Sequence, residues 1–157
     1  MKKQKGFVLI EMVFYVALIG FLSYAIFSTL NIAKRERINA VAFSEVNYQG
    51  IMISNLISKK IKEASNVVIE GNDKLVVYSY KNSKPIALSF LDGGIEIEDG
   101  SNRERINNQK VLISSFSIKD RSVVENQNSI SFSFAVSYSN ESGYKYSKKF
   151  YGSASTK

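Results

Sequence analysis

Apolar and polar positions are distributed unevenly along this chain. Residues 7–33 read FVLIEMVFYVALIGFLSYAIFSTLNIA and carry a single charge, Glu11. The run predicts one continuous helix. At about 1.5 Å rise per residue it covers roughly 40 Å, enough to cross a bilayer core of about 30 Å. A secretory signal peptide needs an apolar core of only about 7–15 residues followed by a small-residue cleavage motif, and no such motif follows at Ala33. Residues 34–66 contain no proline, and Phe43, Val46, Ile53, Leu56, Ile57, Ile61 and Ala64 recur at helical spacing. Lys59, Lys60, Lys62 and Glu63 fall largely off that stripe. The helix is therefore expected to continue past the apolar run and to lay the stripe on a core, with Gly50 as a weak point where it kinks or breaks.

From Ser65 onward the period changes to two. Strands are predicted over 67–70, 74–81, 86–91, 94–98, 110–119, 129–139 and 143–152. The clearest is 129–139, where Ile130, Phe132, Phe134, Val136 and Tyr138 alternate with Ser131, Ser133, Ala135, Ser137 and Ser139, as a half-buried antiparallel strand requires. Gly71-Asn72-Asp73, Asn82-Ser83-Lys84-Pro85, Asp92-Gly93-Gly94 and Asn140-Glu141-Ser142-Gly143 supply turns, and residues 99–109 form the longest loop. The fold class that follows is α+β: a long N-terminal helix, first transmembrane and then amphipathic, packed on an antiparallel sheet.

Composition narrows the chemistry. The chain has neither cysteine nor histidine, which removes disulfides, His/Cys zinc sites and Ser-His-Asp or Cys-His catalysis. No catalytic constellation, metal site or cofactor motif remains, so a non-enzymatic role is expected. The net charge of +7 includes Lys2, Lys3 and Lys5 ahead of the apolar run; the rest of the excess is mild and spread out.

Glu11 is the anomaly, because a carboxylate about one turn into a membrane helix costs several kcal/mol unless it is paired or reaches water. Its neighbours read Lys2-Lys3-Gln4-Lys5-Gly6-Phe7-Val8-Leu9-Ile10-Glu11. This start resembles the class III signal of type IV prepilins and pseudopilins: a short basic leader, Gly, Phe, three apolar residues, then Glu. The resemblance implies a leader over 1–6, a transmembrane assembly helix over 7–33 and an extracytoplasmic pilin-like domain over 34–157. It also implies that a prepilin peptidase cuts after Gly6, that Phe7 becomes an N-methylated terminus, and that Glu11 is the assembly glutamate.

The expected role is a structural subunit of a type IV pilus, a type II secretion pseudopilus or a competence pseudopilus. The expected partners are other pilin or pseudopilin subunits, the inner-membrane assembly platform and, before assembly, membrane lipid. Its location would be the bacterial cytoplasmic membrane with a cytoplasmic N-terminus, and then a surface or periplasmic filament. Ser28 stands where major pilins place a proline, which favours a minor subunit, and the order of later elements is similar to that of PilW, pseudopilin-J and ComGF-like groups.

Other signals have plainer readings. Glu96, Glu98, Asp99 and Asn102 offer oxygen ligands but match no EF-hand spacing and read as an acidic turn. Ser142-Gly143-Tyr144-Lys145 fits S-x-x-K without its companion motifs, and Asn140-Glu141-Ser142 fits a glycosylation sequon that the basic leader contradicts. In the last strand, Tyr144, Tyr146, Phe150 and Tyr151 interleave with Lys145, Lys148 and Lys149. Alternation puts Lys148 with Tyr144, Tyr146 and Phe150, and Lys145 with Lys149 and Tyr151. Lysines on a terminal edge strand guard against unwanted pairing. The alternative is a filament-tip binding module, with Lys145, Lys148, Lys149 and Tyr151 contacting DNA, or with the sheet contacting a secreted substrate.

Overall fold

The computed structural model describes residues 4–71, 73–79, 84–91, 93–122, 128–139 and 145–156, with residues 4–6 as backbone alone. The chain forms two compact units, Met1–Val41 and Ala42–Lys157. Helix α1 spans Gln4–Lys62 and contributes to both. The absence of proline keeps its hydrogen-bond ladder whole. Lys59, Lys60 and Lys62 in its last turn complement the negative end of the helix dipole.

Within the second unit, α1 buries Ala42, Val46, Gln49, Gly50, Ile53, Ile57 and Ile61, positions three or four apart that share one face. Each large aliphatic side chain buried there is worth about 1.5–3 kcal/mol. Phe43, expected on this stripe, is instead more than half exposed, with its ring 5.8 Å from that of Tyr146. Gly50 does not break the helix, which runs through it without interruption. A Cβ at Gly50 would lie 2.1 Å from the ring of Phe150, so the glycine is where an aromatic side chain rests directly on the helix backbone.

The strands are β1 (Ala64–Glu70), β2 (Lys74–Ser79), β3 (Ile86–Leu91), β4 (Gly94–Asp99), β5 (Asn102–Arg105), β6 (Val111–Asp120), β7 (Ser129–Ser139) and β8 (Lys145–Ser155). They form two antiparallel meanders, β1-β2-β3-β4-β5 and β6-β7-β8. The segment expected to be one long loop thus contains a strand. β5 is exposed at all four positions and therefore has no apolar alternation. It pairs Arg103 with Glu98 in the ladder, and the Arg103 guanidinium sits 3.6 Å from Glu96 and 3.4 Å from Glu98. Two of the acidic residues considered as cation ligands, Glu96 and Glu98, hold an arginine instead. The expected turn residues Asn72, Asn82, Ser83, Asp92 and 140–143 lie outside the described residues.

One apolar cluster joins Val46, Ile53, Ile57 and Ile61 of α1 to both sheets, through residues such as Leu75, Leu88 and Ile95 on one and Ile113, Ile118, Phe132 and Phe134 on the other. The sheets are also stitched by polar contacts. The Ile113 N–H donates to the Gly93 carbonyl at 2.7 Å. Asn107 is buried; its Oδ1 accepts from the Ile95 N–H at 3.0 Å and its Nδ2 donates to the Val111 carbonyl at 3.0 Å. A side-chain amide here stands in for a rung between β4 and β6, pairing the Ile95 N–H and the Val111 carbonyl.

Candidate functional site

Two surfaces carry the residues singled out by sequence. The first is the apolar part of α1. Apolar side chains from Phe7 to Ile32 are between 47% and 75% exposed, which makes a continuous uncovered apolar surface around the helix. The helix is long and apolar enough to cross a membrane. Soluble proteins rarely leave so extended an apolar surface in water.

Along one face of this helix, Phe7, Ile10, Glu11, Phe14 and Tyr15 line a shared groove, as residues three, four, seven and eight apart must. The Tyr15 hydroxyl donates to Glu11 Oε1 at 3.2 Å. The carboxylate therefore has, among the described residues, a polar partner one turn toward the C-terminus. Sequence reasoning did not single out Tyr15, although its i, i+4 spacing from Glu11 was visible. Phe7 is exposed and lies one turn before Glu11 on the same face. Gly6 is described as helical backbone and so is Lys5, while Lys2 and Lys3 lie outside the described residues.

The second surface is β8 and the sheet it edges. Tyr146, Lys148, Phe150, Gly152 and Ala154 alternate with Lys145, Ser147, Lys149, Tyr151 and Ser153. The first set faces the core side: the Phe150 and Phe134 ring centroids are 5.6 Å apart, and a Cβ at Gly152 would sit 2.3 Å from the Phe132 ring. Lys148 belongs there too. Its ammonium donates to Asn47 Oδ1 at 2.7 Å and lies 5.4 Å from the centre of the Phe150 ring. The four residues considered together for nucleic-acid contact are thus split: Lys145, Lys149 and Tyr151 share the outer face, and Lys148 is committed to α1. Tyr144 lies outside the described residues.

Comparison with protein-family models, curated proteins and solved structures finds no match. The reading therefore rests on the chain's own residues. Among the described residues, no cluster of three or more acidic side chains is placed to hold a metal ion.

Proposed function

We propose that this chain is the membrane-anchored precursor of a minor subunit in a type IV pilus-like filament, cut after Gly6 and assembled through its apolar helix. The observation that supports it is the face formed by Phe7 and Glu11: an exposed apolar helix surface whose only charge lies one turn beyond the Gly6-Phe7 junction. Cleavage there frees an ammonium on Phe7. Four residues of helix separate it axially from Glu11 by about 6 Å. Within one chain the two charges can approach; between chains they can pair with Glu11 of one subunit facing Phe7 of its neighbour.

In hydrocarbon, pairing offsets the cost of the buried carboxylate and fixes the axial register of the two helices. The uncovered apolar surface of α1 is solvated by lipid before assembly and by neighbouring helices afterwards. On this reading the cutting enzyme, the assembly platform and the energy source are other proteins, and the chain itself catalyses nothing.

The test is co-expression with a prepilin peptidase, followed by N-terminal sequencing and a gel shift. The expected product begins at Phe7, and Gly6→Val, which crowds the position before the cut with a branched side chain, leaves the precursor whole. A mature terminus at any other residue would remove the basis of the assignment.

A further inference from the structure

The outer face of the β6-β7-β8 sheet is assembled from three strands and, among the described residues, carries charge of one sign. Across the ladder, Ser114, Ala135 and Lys149 align in one row, Ser117, Ser133 and Tyr151 in the next, and Lys119, Ser131 and Ser153 in the one after. Arg121 continues that direction, its N–H bonded to the Ser129 carbonyl at 2.6 Å. Lys119, Arg121, Lys145 and Lys149 are all exposed. Among the described residues, no carboxylate shares this face. Asp120, beside Lys119 and Arg121 in the chain, is opposite Ile130 on the alternate parity, and its carboxylate accepts hydrogen bonds from Ser122.

The placement of these groups is linear. At about 3.3 Å per residue, Lys149 is about 13 Å along β8 from Lys145, and Tyr151 is about 20 Å along. Lys119 lies one row further and two strands across, an offset of about 10 Å, with Arg121 beyond it. The four cations thus trace a diagonal of roughly 35 Å with an aromatic ring midway. Tyr151 is 74% exposed, and beside it Ser117, Lys119, Arg121, Ser131 and Ser133 help line an open depression of about 280 Å³. Serine hydroxyls between the cations add donors without adding charge or bulk.

We propose that this sheet face binds a single-stranded nucleic acid, its phosphates following the line of lysines and arginine and one base stacking on Tyr151. A line of cations fits a linear polyanion better than a flat membrane surface. The exposed ring gives a base an apolar partner, which a duplex would keep inside its own stack. The inference uses only the second unit and is independent of the filament reading.

The test uses the full chain in neutral detergent micelles, titrated against a fluorescein-labelled oligothymidine of about a dozen nucleotides. Binding is expected to weaken steeply with salt. Tyr151→Ala should weaken it by about fivefold to a hundredfold, and Tyr151→Phe, which keeps the ring, should leave it near the wild type. Lys119→Gln and Lys149→Gln should each reduce the slope of log affinity against log salt by about 0.7, while Lys59→Gln on α1 leaves the slope unchanged. Equal binding by Tyr151→Ala, equal affinity for a duplex of the same length, or displacement by inorganic polyphosphate as readily as by unlabelled oligothymidine at matched charge would each overturn the proposal. In those cases the face would respond to charge alone.

Discussion

At the scale of single residues, the chemistry concentrates on one carboxylate. Glu11 stands among apolar side chains on a helix fit to cross a membrane, where an unpaired charge costs several kcal/mol. Its bond from Tyr15 supplies a neutral donor, which orients the carboxylate without bringing an opposite charge to it. If the ammonium of a neighbouring Phe7 supplies the compensation, Glu11→Val should leave membrane insertion and leader cleavage intact, since a charge leaves the apolar run. Incorporation into filaments, read as crosslinking to other pilin-like subunits and as sheared-filament content at equal membrane levels, should fall about tenfold or more. A glutamate that merely reaches for headgroup water predicts no loss, so equal incorporation would sink the pairing mechanism even with cleavage confirmed. Glu11 was legible in the sequence because it is the only charge in its run. Asn107 was not, because a buried asparagine that bridges two strands looks like any loop asparagine until its partners are known.

At the scale of elements, sequence pattern found what repeats and missed what depends on a distant neighbour. The α1 stripe, Phe43 apart, and the alternation of β7 are local periodicities and were readable. β5 has no apolar face to reveal it and is held by its ladder and by Arg103 against two glutamates. In β6 the inward residues Val111 and Ile113 are followed by Phe116 and Ile118, a break in the period of two. Ser115, at φ 54°, absorbs the extra residue as a bulge, so both pairs reach the core. Gly50 shows the same limit most clearly. Helix propensity marks it as a weak point, but its reason is the Phe150 ring. Gly50→Ala gains about 1 kcal/mol of helix propensity, yet the new methyl must displace a ring stacked against Phe134. Overpacking of that kind costs about 1–3 kcal/mol, so a net loss of about 1 kcal/mol in denaturant unfolding is expected. Combined with Phe150→Leu, the same substitution should become neutral or stabilising relative to Phe150→Leu alone. Additive effects of the two changes would show that the ring does not rest on the glycine.

At the scale of the whole molecule, the two units differ in what they need around them. Residues of the first expose large apolar side chains in nearly every turn, which only lipid or other helices can cover. The second closes its own core: Val46, Ile53, Ile57 and Ile61 on α1 meet buried residues from both sheets, and Asn107 satisfies the backbone where the sheets join. A chain beginning at Lys34 keeps every one of these groups and loses the apolar run. It should therefore be soluble without detergent, show circular dichroism of mixed helix and sheet, and unfold cooperatively in urea, while the full chain requires detergent. Ile57→Ala in this shortened chain should lower stability by about 2–5 kcal/mol, because the side chain is almost fully buried at the helix–sheet contact. A spectrum of pure helix or of unfolded chain would mean that the second unit cannot stand without the first. A cooperative transition unmoved by Ile57→Ala would mean that α1 detaches from the sheets once the apolar run is gone.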